Sequence, residues 1–159
     1  MLFMGCEFGQ TSEWNYKSEL DWELLQHPVH SNLQQCVMAL NHLYKNKPAL
    51  HELQFDHKGF EWVDLDNREQ GIIVFKRKGK LPENDILVVM NITNIPQRHW
   101  KLKVKGKTKW TEIFNSDSKA YSGSGDYINE KIKCEAEDKK RKIYEIIINI
   151  PALGAMVFE

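Results

Sequence analysis

The sequence lacks a long apolar run and a leader pattern. No stretch of its 159 residues approaches the roughly 20 apolar residues that a membrane-spanning helix needs. The first residues also lack a basic segment followed by an apolar segment and a small-residue cleavage site. From these two absences we expect a cytoplasmic protein without a membrane partner.

Cysteine is scarce, and its spacing argues against two kinds of site. Cys6, Cys36 and Cys134 are an odd number of cysteines and form no CxxC pair, so neither a disulfide framework nor a zinc site is indicated. The six histidines show no metal-ligand spacing. We therefore predict free, buried thiols, no metal and no cofactor.

Neither sign of charge is in excess. Lys+Arg and Asp+Glu each number 22, so no global field attracts the protein to nucleic acid, and we predict no nucleic-acid partner. The hydrophobic fraction of 42%, with seven Phe, five Trp and five Tyr, supplies enough apolar surface for a folded core. The chain is long enough to bury such a core.

The first 53 residues are predicted to form a strand, a loop and a helix. Residues 1–4 are apolar and are followed by Gly5 and Gly9, which indicates a short buried strand and a turn. Ser31 is a candidate helix cap, and Pro48 indicates that the helix ends near Asn46. The apolar stripe of this helix comprises Leu33, Cys36, Val37, Leu40, Leu43 and Tyr44. One strand and one helix cannot bury their own faces, so this unit resembles the end of a larger structure.

From residue 54 onward, short β-rich runs alternate with turn residues, which is typical of a sandwich or barrel. Predicted strands cover residues 60–64, 71–77, 85–93, 99–105, 109–115, 130–134, 143–150 and 154–158. Trp100, Leu102 and Val104 alternate with lysines, so one face of that strand is buried and its lysines face solvent. The predicted fold is mainly β: a β-loop-α unit at residues 1–53 and an antiparallel β sandwich at residues 54–159.

Four motifs invite a functional interpretation, and each also has a structural one. The carboxylates Glu7, Glu13, Asp21 and Glu23 suggest acid/base chemistry, but they can equally be solvated or fix the loop by hydrogen bonds. The glycine-rich residues 121–125 lack the lysine of a phosphate loop, and we predict a connector between strands. The lysines of residues 101–109 are predicted to protect a strand edge. The mixed charges of residues 135–142 are predicted to form an exposed turn.

The tryptophans have two interpretations as well. Trp14 and Trp22 are candidates for stacking on sugar rings, or for packing the loop. For the three tryptophans within predicted strands, Trp62, Trp100 and Trp110, we predict core or inter-sheet packing. One exposed tryptophan among them would instead form an accessory platform for stacking on a sugar ring.

Residues 2–15, LFMGCEFGQTSEWN, followed by SELDWELL, resemble the last barrel strand and loop of bacterial glycogen branching enzymes in the α-amylase superfamily. The resemblance continues in order through residues 41–64, 85–100, 114–125 and 150–159. Cys6 departs from it, because the family commonly has a second glycine there. The resemblance implies that residues 1–53 are the last strand, loop and helix of a (β/α)8 barrel, and that residues 54–159 are the C-terminal all-β domain.

The resemblance also implies an activity and a substrate. A branching enzyme cuts an α-1,4-glucan and transfers the segment to a 6-hydroxyl, using two carboxyl groups about 5 Å apart. The family carries its catalytic carboxylates on earlier barrel strands, so we expect a truncated chain with no catalytic residue and no activity alone. Glu7, Trp14 and Trp22 are expected at the rim of the complete enzyme's α-glucan cleft.

Two alternatives remain open. The chain could be a self-standing α-glucan-binding β sandwich, or the C-terminal part of another enzyme of the superfamily, such as a debranching hydrolase. Truncation of a barrel enzyme would remove the barrel neighbours of the apolar residues at 1–4 and on the helix. We therefore expect either a dimer or refolding of the N-terminal segment against the sandwich.

Overall fold

The computed structural model describes residues 2–64, 67 and 69–159, which form one α-helix and eight β-strands. The helix is α1 (Pro28–Asn46), and the strands are β1 (Phe60–Asp64), β2 (Ile72–Arg77), β3 (Ile86–Asn91), β4 (Gln97–Lys105), β5 (Glu112–Asn115), β6 (Lys133–Asp138), β7 (Ile143–Ile150) and β8 (Ala155–Phe158). Short 3-10 helices lie at Trp22–Gln26, Pro48–Leu50, His57–Gly59, Pro82–Asn84 and Lys119–Tyr121.

The strands form two antiparallel sheets. The larger sheet has the order β1-β2-β3-β8-β5, and the smaller has the order β4-β7-β6. β8, the last strand, lies between β3 and β5, so that Met156 is opposite Val89 on one side and Asn115 on the other. The predicted mainly β fold, an antiparallel sandwich, is confirmed.

The main core lies between the two sheets. Alternate residues of each strand point inward, as a period of two requires, and they pack against those of the facing sheet. Its buried members are Ile72, Val74, Leu87, Val89, Leu102, Val104, Trp110, Ile146, Ile148, Ile150, Met156 and Phe158. Each fully buried aliphatic side chain contributes about 1.5–3 kcal/mol relative to its exposed state.

A second, smaller core attaches α1 to the outer face of the larger sheet. Leu43 of the helix and Ala49 just beyond it pack with Ile86, Phe114 and Val157. β3 is therefore covered on one face by the smaller sheet and on the other by the helix.

The helix begins earlier than predicted. Pro28 is its first residue and His27 its cap, because proline lacks the N–H that the first turn leaves unpaired and has a φ suited to a helix. Ser31 lies inside the first turn, where its hydroxyl donates to the carbonyl oxygens of Pro28 at 3.2 Å and His27 at 3.4 Å. The end at Asn46 is confirmed. Within the described residues, no helix has the length and apolarity needed to cross a membrane.

The predicted opening strand is wrong for its described residues. Residues 2–4 belong to no strand, and the side chains of Leu2, Phe3 and Met4 are 56%, 60% and 52% exposed. No strand of either sheet lies beside them, so their backbone has no ladder to join; the Cys6 N–H instead donates to the Phe3 carbonyl at 2.8 Å in a turn. Met1, included in that prediction, lies outside the described residues.

The charged segment after residue 130 was also predicted incorrectly. A strand was expected at residues 130–134 and an exposed turn at 135–142, but β6 covers Lys133–Asp138 and only residues 139–142 form the turn. β6 is an edge strand paired with β7, where charged side chains face solvent without cost.

β4 is the opposite edge of the smaller sheet. Its predicted alternation is confirmed, since Leu102 and Val104 are buried and its lysines are exposed.

The glycine-rich segment is confirmed as a connector. Residues 121–125 belong to the connector that leads from β5 to β6, and this connector also contains the 3-10 helix Lys119–Tyr121. The Asp117 carboxylate closes it by accepting hydrogen bonds from the Ser124 N–H at 2.8 Å and hydroxyl at 2.6 Å. These bonds hold a polar loop in one conformation.

Candidate functional site

The N-terminal loop, residues 2–26, is closed by hydrogen bonds and held on α1. Gly5 and Gly9 have φ of +84° and +68°, a left-handed conformation that favours glycine. The Gln10 side chain accepts from the Asp21 N–H at 2.9 Å, and the Asp21 carboxylate accepts from the Ser12 hydroxyl. Asp21 therefore fixes the loop by hydrogen bonds.

Glu7 lies in the turn between Gly5 and Gly9. Its side chain is half-buried and has no hydrogen bond or ion pair with the described residues. The next residue, Phe8, is fully buried, and its carbonyl oxygen lies 2.8 Å from His30 Nδ1 on α1. This contact fastens the turn to the helix and leaves Glu7 at the surface.

Trp14 and Trp22 are held by separate aromatic contacts. The Trp14 ring meets the Phe3 ring edge-on at 5.4 Å between centroids, and the Trp22 ring lies 5.2 Å from that of Phe8. Their side chains remain 39% and 48% exposed. No hydrogen bond, ion pair or ring contact joins Glu7, Trp14 and Trp22 to one another. The loop presents these side chains without assembling them into a catalytic group.

A second surface carries three aromatic side chains on the edge strand β1 and its neighbour β2. Phe60 and Trp62 of β1 and Phe75 of β2 contact one another, with centroid distances of 4.9, 5.2 and 6.2 Å. We call these three residues the β1–β2 aromatic surface. Trp62 is 52% exposed and Phe60 is 38% exposed. A rigid, partly exposed indole beside two phenyl rings offers an apolar face to the C–H face of a sugar.

The prediction of core packing is wrong for Trp62. β1 alternates, so that Val63 packs against the main core while Phe60 and Trp62 point to the opposite face. The sequence could have indicated this, because alternate side chains of a strand point to opposite faces, and the apolar Val63 therefore lies on the face opposite to Trp62. The prediction is confirmed for Trp110, which is 4% exposed, and for Trp100, which packs against the main core.

The cysteines show no site. All three are free. Cys36 and Cys134 are half-buried, and burial raises the pKa of both thiols. Cys6 is exposed because its turn projects from the loop, so the prediction of burial is wrong there. In the described part of the chain, no three His, Cys, Asp or Glu side chains are grouped as a metal site would require.

Comparison with known proteins agrees with the fold. The family model described as "Alpha amylase, C-terminal all-beta domain" matches residues 62–159. The chain is 40% identical over 158 residues to the 1,4-alpha-glucan branching enzyme of Marinobacter nauticus, covering 99% of this chain and 25% of that protein. It is 46% identical over 125 residues to the same-named enzyme of Aquifex aeolicus, covering 79% of this chain and 20% of that protein.

A third relative extends the pattern. The 1,4-alpha-glucan branching enzyme of Nitrosococcus oceani is 39% identical over 158 residues, covering 99% of this chain and 21% of that protein. The chain thus spans about a fifth to a quarter of the length of these relatives. The resemblance seen in the sequence motifs is confirmed.

Proposed function

The chain belongs to the family of alpha-amylase C-terminal all-beta domains, and we propose from this that it is the C-terminal part of a 1,4-α-glucan branching enzyme. The observation that carries the proposal is the similarity to such enzymes along 99% of the chain. The whole enzyme would act in the cytoplasm on an α-glucan, moving α-1,4-linked segments to 6-hydroxyls. The paired carboxyl groups of that reaction would come from outside these 159 residues.

Within that enzyme, the proposed role of this chain is to brace the catalytic barrel. α1 packs on the β sandwich through Leu43, while Val29, Leu33 and Leu40, which share another face of the same helix, are 63%, 40% and 42% exposed. Exposed apolar side chains of this kind mark an interaction surface. We assign the rest of the barrel as the partner of that surface.

An assay of the chain alone tests the proposal that the catalytic carboxyl groups lie outside it. Incubated with amylose, the purified chain should form no α-1,6 linkages detectable by proton NMR, because it lacks the family's catalytic carboxylates. The Aquifex aeolicus enzyme serves as the positive control. New α-1,6 linkages made by the chain itself would overturn the proposal.

The N-terminal loop is proposed to form part of the rim of the glucan cleft. Its support is that Trp14 and Trp22 are each held by a neighbouring ring yet stay partly exposed, and that Glu7 has no partner among the described residues. Such side chains are available to a substrate without rearrangement of the loop.

The apolar surface of α1 leads to a proposal on the isolated chain, which we expect to dimerise. Light scattering after size exclusion should give a mass that rises from monomer to dimer with concentration. Val29→Lys should keep the chain monomeric, because it places a charge on the exposed apolar face that Val29 shares with Leu33 and Leu40. Ile92→Lys is the matched control, since Ile92 is 60% exposed, about as much as Val29, but lies just after β3. A wild-type monomer at every concentration would contradict the proposal.

A second function is favoured by the β1–β2 aromatic surface: direct binding of α-glucan by the β sandwich. Stacking on an exposed indole needs a ring that is already held in place, and the rings of Phe60 and Phe75 both contact that of Trp62. This function is compatible with the bracing role and is also what a self-standing glucan-binding module would do.

Titration with maltoheptaose, followed by tryptophan fluorescence, tests the second function. Saturable binding is expected, and Trp62→Ala should weaken it at least about tenfold, the effect of losing roughly 1.4 kcal/mol of contact. Phe55→Ala is the matched control: Phe55 is an aromatic residue that is 96% exposed but belongs neither to the β1–β2 aromatic surface nor to the N-terminal loop, so its removal should leave the affinity unchanged. No fluorescence response in the wild-type chain, or equal losses in both variants, would refute glucan binding at Trp62.

A further inference from the structure

A small, open pocket lies where the two sheets meet, near the turns that follow β4 and precede β7. Its volume is about 240 Å³. It is below the range of about 300–1,000 Å³ typical of drug-sized ligands, and so suits a small group. We call it the lysine pocket; its charged lining consists of Lys76, Lys105, Lys107, Lys142, Glu83 and Asp85.

The floor of the lysine pocket contains a buried cation. Lys76 on β2 is 5% exposed, and its ammonium donates one hydrogen bond to the Lys105 carbonyl oxygen. Burial lowers the pKa of Lys76, while the nearby Glu61 and Asp85 carboxylates oppose that shift. An ammonium has three N–H donors, and an anion would give the remaining ones an acceptor.

A second cation and an unpaired donor lie beside it. The Lys107 ammonium donates to the Asp85 carbonyl oxygen at 2.7 Å. Lys76 Nζ and Lys107 Nζ are 5.8 and 5.4 Å from the centroid of the same Trp110 ring. The indole N–H of Trp110 is buried without a hydrogen-bond partner among the described residues, but Trp110 does not line the pocket. The pocket thus brings two ammonium groups to one aromatic ring, and each of them donates to a single carbonyl oxygen.

The rim carries two lysines that are not engaged elsewhere. The side chains of Lys105 and Lys142 are exposed, and neither makes an ion pair or hydrogen bond with the described residues. Their turns are joined, because the Gly106 N–H donates to the Lys142 carbonyl at 3.0 Å. The position of Gly106 opens onto free space, with no heavy atom within 4 Å of a Cβ built there. The two rim cations are thus held beside an unobstructed entrance.

The two carboxylates do not cancel these charges. Glu83 is exposed, and Asp85 is half-buried with one carboxylate oxygen accepting from the Gly79 N–H at 3.2 Å. Burial raises the pKa of Asp85. Among the lining residues, four lysines face two acids. Glu61 and Glu159 also act on Lys76 and Lys107 from outside the lining, as do Lys78 and Lys47, so the excess stays positive in a chain whose formal net charge is zero.

We propose that the lysine pocket binds a phosphate group, supplied either by inorganic phosphate or by a phosphorylated sugar. Phosphate oxygens are strong acceptors for ammonium donors, and lysine is a common phosphate ligand. The site is separate from the N-terminal loop and from the β1–β2 aromatic surface. Its existence does not depend on the function proposed above.

Calorimetric titration of the full chain with inorganic phosphate, at constant low ionic strength and pH 7, tests the proposal. Binding should saturate, with chloride giving no such response. Lys105→Ala and Lys142→Ala should each weaken phosphate binding by about threefold or more, as expected for the loss of one partly exposed charge contact. A parallel titration with glucose 1-phosphate distinguishes the two sources: tighter binding of the ester identifies a phosphorylated sugar, and equal or weaker binding identifies free phosphate.

Lys139→Ala is the matched control. Lys139 is exposed in the same turn as Lys142 but does not line the pocket, so its removal changes the net charge equally and should leave the affinity unchanged. Circular dichroism verifies that all three variants fold. Absence of saturable phosphate binding, or an equal loss in the Lys139 and Lys142 variants, would overturn the proposal.

Discussion

At the scale of single residues, a buried asparagine links the two sheets. Asn129 is 7% exposed and lies in the connector before β6. Its amide nitrogen donates to the Glu112 carboxylate of β5 at 2.7 Å and to the Asn149 carbonyl of β7 at 3.0 Å, while its oxygen accepts from the Asn149 N–H at 2.7 Å. β5 and β7 belong to different sheets. The polar groups in this network are thus both satisfied and used to fix the sheets relative to each other.

Glu112 in this network gives a pH-dependent prediction. Its pKa is raised above the usual value, mainly by burial, although Asn129 and Asn115 donate to the carboxylate and oppose the shift. A carboxyl with a higher pKa in the folded state stabilises the fold below its unfolded pKa, and this contribution is lost as pH rises through the folded pKa. Urea denaturation of wild type and Glu112→Gln should therefore show wild type losing stability relative to the variant between pH 4 and pH 8.

The difference between the two proteins isolates Glu112, since every other titrating group is common to both. A difference in unfolding free energy that stays constant over this pH range, or that favours wild type as pH rises, would show that hydrogen bonding outweighs burial at Glu112.

At the scale of elements, local patterns predicted most strands, and neighbours decided the rest. The alternation of β4 and the apolar run of β3 are local features, so their positions were predictable. The extent of β6 was not, because its charged residues become a strand only by pairing with β7. The predicted cap at Ser31 was also wrong, because α1 begins at Pro28 and Ser31 lies inside its first turn. The prediction of an opening strand was wrong for a related reason: a strand needs a neighbouring strand to pair with, and residues 2–4 have none.

The attachment of α1 to the sheet can be tested with two leucines of the same helix. Leu43 is 9% exposed in the smaller core, whereas Leu40 is 42% exposed. Leu43→Ala should lower the free energy of unfolding by about 2 kcal/mol or more, because it leaves a cavity. Leu40→Ala, with the same change in helix propensity, should cost under about 1 kcal/mol. Equal costs in urea denaturation would mean that α1 does not depend on the smaller core.

At the scale of the whole molecule, the sheet order was beyond the sequence patterns. Nothing local indicates that β8 lies between β3 and β5, or that β4 joins β7 rather than β3. The same limit applies to sites. The motifs identified Glu7, Trp14 and Trp22 as candidates. The exposure of Trp62 and the meeting of Lys76 on β2 with the lysines around the ends of β4 and β7 depend on how the two sheets assemble.

We propose that this chain supplies the C-terminal part of a branching enzyme and none of its chemistry. The most direct test replaces the matched segment of the Aquifex aeolicus branching enzyme with the corresponding residues of this chain. We predict a folded chimera whose rate of α-1,6 linkage formation on amylose is within about tenfold of the parent enzyme, a change of roughly 1.4 kcal/mol in barrier. The parent enzyme lacking that segment is the control and should be inactive. A well-folded chimera that forms no α-1,6 linkages would contradict the claim.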